Sequence, residues 1–173
     1  MTSDTTSDTG SGSGSAPAPA SWSGFRAAEP AFADAVQDRF GKHRHHVLAT
    51  LRKDGSPRVS GIEVIFRDGE LWLGMMPGSA KARDLRRDPR LALHANPGEG
   101  DSMDGGDVKV AGWGVEVVDE GEVGRFAEAM GQPLPFHLFR VGVGSVVRTG
   151  VEGARLVVHT WHPGRALTRA SRA

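Results

Sequence analysis

The residues of this chain best suited to chemistry lie in one short stretch, Gly78-Ser79-Ala80-Lys81-Ala82. Ser79 precedes a run of helix formers and is suited to cap it. A helix start offers unpaired N–H groups and a partial positive charge, which together favour an anion such as a phosphate. Ser79 adds a hydroxyl, and Lys81 in the first turn adds a point charge. The spacing describes an anion-binding turn, and it also describes a plain capping serine followed by a solvated lysine. His43, His45 and His46 form a second cluster in a Lys-His-Arg-His-His run. The neighbouring cations repel a metal ion, and a solvated edge that protects the following strand is the simpler reading. His159 and His162 flank Trp161 on a strand and are expected to face different sides. Gly142-Val143-Gly144 lacks the strand-to-helix setting of a dinucleotide fingerprint and reads as a bend. Arg83, Arg86, Arg87 and Arg90 are interleaved with Asp84 and Asp88, a pattern of helix-surface ion pairs rather than a nucleic-acid patch. Ser79-Ala80-Lys81 also has the wrong spacing for a Ser-x-x-Lys nucleophile. No side chain stands out as a general acid or base.

Composition narrows the classes further. The chain has 173 residues, 21 basic and 21 acidic side chains, and no cysteine. Balanced charge provides no global field toward nucleic acid or an anionic membrane. Without cysteine there are no disulfides, thiolate metal sites, iron–sulfur clusters or cysteine nucleophiles. No apolar run approaches the ~20 residues that span a bilayer. The N-terminus lacks a secretory signal pattern. The expectation is a cytoplasmic domain. With 24 glycines and 10 prolines, turns should be many and strands short.

These residues need a framework. Residues 1–24 are Ser, Thr, Gly, Ala and Pro with little to bury, and are expected to be a disordered tail. Trp22 and Phe25 are placed to pin its end. Glu29-Pro30 opens a helix with Phe32, Ala35, Val36 and Phe40 at helical spacing, ended by Gly41. His46 to Leu51, Arg58 to Phe66 and Leu71 to Met75 then read as three strands joined by Asp-Gly turns. This meander excludes a parallel sheet there. A short helix runs from Ser79 to Asp88-Pro89, and strands follow at Arg90 to Ala95 and Val108 to Val118. Gly112 and Gly114 suggest a bulge in the latter, and Asn96 to Gly106 before it is a loop. Val123, Phe126, Ala127 and Met130 mark a third helix, ended by Gly131. Phe139 to Val147 and Ala154 to Trp161 close the sheet. The expected fold is mostly β with short helices, an antiparallel barrel of about seven strands over residues 25–164, with 165–173 a frayed basic tail. Roughly 145 folded residues can bury one core.

The motifs along this framework resemble a known family. Thr50-Leu51-Arg52-Lys53-Asp54-Gly55-Ser56-Pro57-Arg58 forms the first hairpin; Ser79-Ala80-Lys81 and Leu85-Arg86-Arg87-Asp88-Pro89-Arg90 follow, then Val108-Lys109-Val110-Ala111-Gly112. In this order, over roughly residues 30 to 162, the set resembles the pyridoxamine 5'-phosphate oxidase-like family of flavin-binding split barrels. Carried over by position, the resemblance implies a cofactor site at Ser60, Gly61, Ile62 and Glu63, at Gly74, Met75 and Met76, and at Ser79 and Lys81. In the family the cofactor lies in a groove between subunits, so a homodimer is implied. The chain departs from the oxidase pattern at several positions. Ser60 stands where the oxidase has a phosphate-binding arginine, and the nearest arginine, Arg58, is two residues away. Ala80 replaces a second basic residue, and the third strand ends Gly-Met-Met.

The sequence after Trp161-His162-Pro163-Gly164-Arg165 lacks the Trp and Arg-x-His segment that binds substrate phosphate in the pyridoxine-type oxidases. Pyridoxamine phosphate is therefore not the expected substrate. The shorter relatives use FMN or the deazaflavin coenzyme F-420 as reductases. Four lysines against 17 arginines fit a GC-rich genome of the kind that makes F-420, so both cofactors stay open. The leading expectation is an oxidoreductase transferring a hydride to or from a small organic substrate. The alternative is a non-catalytic protein that binds or stores a flavin, deazaflavin or haem. A nucleic-acid-binding barrel, with exposed aromatics between basic strand residues, is the last choice in a chain with no tyrosine.

Overall fold

The computed structural model describes residues 18–97 and 106–172. The chain runs α1 (Trp22–Ala28), α2 (Pro30–Gly41), β1 (His46–Leu51), β2 (Pro57–Ile62), β3 (Val64–Arg67), β4 (Glu70–Met75), α3 (Ala80–Arg87), β5 (Arg90–His94), β6 (Asp107–Val117), α4 (Glu120–Met130), β7 (His137–Glu152), β8 (Arg155–Trp161) and β9 (Thr168–Arg172). All the strand pairs are antiparallel, in the order β2-β1-β5-β6-β7-β4-β3, with β8 and β9 continuing from β7. This is the split antiparallel barrel with short helices that the sequence predicts. No helix among the described residues is long and apolar enough to cross a membrane.

The closure of the barrel follows from one connection. β2 and β3 lie at opposite ends of the hydrogen-bonded order, yet only Glu63 separates them in sequence. The sheet must curl until its two ends meet at that residue. The single second strand expected over Arg58 to Phe66 is therefore two strands. β2 pairs with β1 and β3 with β4, and one straight strand cannot serve both ends of a curled sheet. Around the curl, Leu48, Leu71, Leu73, Leu93, Val108, Val110, Phe139, Val141 and Val146 fill one core with Trp22, Phe25 and Val36.

The hairpins form as their residue types dictate. Asp68 and Gly69 both have positive φ, 52° and 74°, as a type I′ turn requires. The expected bulge is present between β6 and β7. The pairing steps from Ala111↔Ser145 to Gly112↔Val143, which leaves Gly144 as the extra residue. A Cβ on Gly144 would stand 2.4 Å from the Trp113 ring, and one on Gly112 would stand 2.0 Å from the Gly142 carbonyl oxygen. The bend expected at Gly142-Val143-Gly144 is thus the bulge in the middle of β7.

Both ends of the described body extend further than the sequence suggests. Ala20 exchanges two backbone hydrogen bonds with Val143, Ser21 caps α1, and Trp22 is 2% exposed. Burial of Trp22 and Phe25 offsets the cost of ordering this stretch, so the fold begins before residue 25. The rest of the expected tail, 1–17, and the loop residues 98–105 lie outside the described residues. At the other end, 168–172 are not frayed but form β9, paired with β8 over five residues. Every side chain of β9 is exposed. Its order comes from the backbone ladder, which leaves no mark in an apolar pattern.

Candidate functional site

A groove of about 650 Å³ opens at the seam where the two ends of the sheet meet. That volume is in the range of small-molecule and cofactor sites. One wall is the end of β2 and its connector, with Gly61, Ile62 and Glu63. The facing wall is the end of β4 with Gly74, Met75 and Met76. The start of α3 closes one end with Ser79 and Lys81. Eight of the nine residues implied by the family resemblance therefore line one space. Ser60 does not. It shares the inner face of β2 with Arg58 and Ile62, and its Oγ is buried without a hydrogen-bond partner.

The end of the groove at α3 is built by a tight turn. Met76-Pro77-Gly78-Ser79 closes with the Ser79 N–H donating to the Met76 carbonyl, 3.2 Å, and Gly78 has φ 70°. Proline at the second position and glycine with positive φ at the third are the requirements of a type II turn. Ser79 then caps α3, its Oγ accepting from the Ala82 N–H at 3.3 Å. The amides of Ala80 and Lys81 remain without a backbone acceptor among the described residues, as at any helix start. Ser79 thus caps the helix, and the first amides stay open.

Lys81 is half-buried, and its Nζ donates to the Gly61 carbonyl across the seam. Burial lowers its pKa from the usual lysine range. It is the one cation of the groove without a carboxylate partner among the described residues. Arg44 donates from Nε to Glu63 at 2.9 Å, and His45 Nε2 lies 3.6 Å from the same carboxylate. Arg58, the arginine nearest to Ser60, is not free to serve an anion. Its Nε contacts Asp84 at 2.5 Å, where Thr50 Oγ1 donates at 2.9 Å and Arg87 at 3.1 Å. Burial raises the Asp84 pKa, but the hydrogen bonds from Arg58, Thr50 and Arg87 outweigh it, and the net direction is down. Arg86 pairs with Glu116, Arg83 binds the Gly78 carbonyl, and Arg90 at the start of β5 pairs with Asp88, largely the ion-pair pattern the sequence suggests.

The opposite side of the groove is apolar and comes from a part of the sequence not singled out in advance. Gln132, Pro133, Leu134, Pro135 and Phe136, between α4 and β7, line it with Ile65. A proline-rich loop carrying Leu and Phe directly after a glycine-capped helix was the available signal. Arg44 and His45 were also missed as groove residues. Among the described residues no group of three or more His, Asp or Glu could hold a metal. His46 turns inward, 4% exposed, and accepts the Asn96 N–H on Nδ1 at 3.1 Å.

Comparison with known proteins adds an independent line. The family model described as pyridoxamine 5'-phosphate oxidase matches residues 32–147. The chain belongs to the pyridoxamine 5'-phosphate oxidase family. That match contains every groove residue named above. A search of curated proteins finds no significant match. Among solved structures, a pyridoxamine 5'-phosphate oxidase-related, FMN binding protein from Nostoc punctiforme aligns with TM-score 0.60 and 14% identity, over 84% of this chain and 96% of that one. ChuZ from Campylobacter jejuni aligns with TM-score 0.58 and 11% identity, over 78% of this chain and 61% of the other. The haem storage protein HutZ from Vibrio cholerae aligns with TM-score 0.50 and 19% identity, over 67% and 89%. At these identities the likeness is one of fold.

Proposed function

We propose that this member of the pyridoxamine 5'-phosphate oxidase family binds FMN or the deazaflavin coenzyme F-420 in the seam groove. There it transfers a hydride to or from a small organic substrate in the cytoplasm. The observation that carries this reading is the convergence of eight family cofactor positions on one groove with an anion-binding end. The residues fit such a group. Ser79, the amides of Ala80 and Lys81 and the Lys81 ammonium suit a phosphate. Ile65, Met76, Leu134 and Phe136 offer apolar surface to a flat ring. A Cβ added at Gly61 or Gly74 meets no atom within 4 Å, so neither position is packed against a neighbour. When bound, the cofactor supplies the redox chemistry, and the protein supplies binding, orientation and electrostatics.

The same reading includes a homodimer. A row of small residues crosses five strands on the outer face: Val59, Ala49, Ala92, Ala111 and Ser145 lie side by side. Val59 is 70% exposed. The adjacent row begins at Gly61 beside Val47, so a second copy on this face adjoins the groove.

A non-catalytic flavin, deazaflavin or haem store is the second reading. It is favoured by the fold likeness to HutZ and by Glu63, the groove's one carboxylate among the described residues, being held by Arg44. The test is the absorption spectrum of protein exposed to FMN, F-420 and haemin and then desalted. A retained flavin or deazaflavin band with substrate turnover supports the enzyme. A retained band of any of the three without turnover supports the store. No retained band overturns both.

A further inference from the structure

Beside the groove, outside its lining, three charged or titratable side chains from three elements converge. Arg86 in the last turn of α3 donates from Nε and Nη2 to Glu116 of β6, at 2.5 and 2.6 Å. Around His137 Nδ1 of β7 stand both Glu116 Oε1 and Arg86 Nη2, each at 3.0 Å. On its other nitrogen, His137 Nε2 accepts the Gly78 N–H at 3.3 Å. An imidazole that accepts on Nε2 carries its proton on Nδ1, and the Glu116 carboxylate receives that proton's hydrogen bond. The Gly78 N–H fixes Nε2 as the acceptor, so Arg86 Nη2 beside Nδ1 donates to the nearer Glu116 Oε1 and the carboxylate takes the ring proton. Arg86 in turn holds the carboxylate, and the Glu116 pKa lies below the usual carboxylate range because of the Arg86 hydrogen bond.

This cluster grips α3 at both ends. Its last turn is tied through Arg86, and the turn before its first residue is tied through Gly78. The Gly78 amide is the donor that the type II turn leaves unused, since the turn itself closes through Ser79. Side-chain exposures of 20% for His137 and 16% for Glu116 limit competition from water. None of the three residues lines the groove, so they act on it only through the position of the turn.

We propose that His137, its Nδ1 side held by Glu116 and Arg86, is a positioning residue that holds the Met76–Ser79 turn and thereby aims the start of α3 at the cofactor phosphate. This rests on the cofactor reading for its ligand, but not for its geometry.

The test compares His137→Phe, which keeps ring bulk and removes the acceptor, with His137→Gln, which keeps an acceptor. Two quantities are read on the full chain: hydrogen exchange of the Gly78 amide, and FMN affinity by fluorescence quenching. One lost hydrogen bond near the site corresponds to about a tenfold effect. H137F is expected to exchange Gly78 about tenfold faster and to weaken FMN binding about tenfold, while H137Q stays within about threefold of wild type on both. Equal Gly78 exchange in H137F and wild type, or equal loss of FMN by both variants, would overturn the proposal. If H137F does not fold, Glu116→Gln takes its place, and Gly78 exchange must rise there. Failure of the cofactor reading looks different: wild type retains neither FMN nor F-420, while Gly78 exchange still separates the variants.

Discussion

Lys81 is the residue on which the site can be tested most directly. A charge-assisted contact from its ammonium to a phosphate contributes ~1.5–3 kcal/mol. Lys81→Ala should therefore weaken FMN or F-420 binding roughly tenfold to a hundredfold, and added salt should erode the difference. Lys53→Ala, in the first hairpin turn and exposed, is the matched control and should leave affinity unchanged. Equal binding by the two variants would show that the phosphate is held elsewhere. The placement of Ser79 and Lys81 at one helix start was legible because cap, helix and cation are close in sequence. Ser60 lies outside the groove lining, one turn of the pleat before Ile62 on the inner face of β2, and position in the strand pattern alone does not separate the two. Arg44 and Leu134 reach the groove from remote segments, and no local pattern announces that.

At the scale of elements, local grammar carried a long way and then stopped. The α2 helix from Pro30 to Gly41, α4 with its Gly131 stop and the Asp68-Gly69 hairpin form as their sequences suggest. The break at Glu63 and the pairing of β9 depend on which strands are neighbours in space, which period and propensity do not encode. One element junction makes a pH prediction. His46 begins β1, and its Nδ1 accepts the Asn96 N–H just after β5. Burial lowers its pKa from the ordinary value, so the unfolded chain binds the proton more tightly than the folded one. Stability from this group is complete above pH ~6.5 and is lost as pH falls from there through the folded pKa. The shifted carboxylates, Asp54, Asp84, Asp88, Glu116 and Glu152, all have lowered pKa values. Their losses come below pH ~4.5. Urea unfolding between pH 7.5 and 5 should thus show falling stability in wild type and a flatter profile in His46→Asn, which keeps an acceptor without the titration. Parallel profiles would remove His46 as the cause.

At the scale of the molecule, the outer row from Val59 to Ser145 sets the expected assembly. Light scattering at micromolar concentration should give about twice the 18.3 kDa chain mass. Val59→Glu would bury a charge at that contact, which costs several kcal/mol unless it is paired. It should shift the protein to monomer while leaving its circular dichroism unchanged. A wild-type monomer would remove the dimer from the proposal.

The seam at Glu63 also has a consequence in time. Hairpins such as β1–β2 and β3–β4 join residues a few positions apart, whereas β4 meets β7 through pairs such as Trp72↔Arg140. Contacts so distant in sequence close late, because loop entropy must be overcome before they contribute. The groove needs both kinds, since Gly61 and Gly74 come from the hairpins while Leu134 and Phe136 lie just before β7. It is therefore incomplete until the last closure, and a ligand has little to hold in the folding transition state. Interactions absent from that state act on the unfolding limb. A bound flavin should slow unfolding in urea nearly by its full binding free energy and leave the refolding rate almost untouched, which stopped-flow fluorescence with and without FMN would read directly.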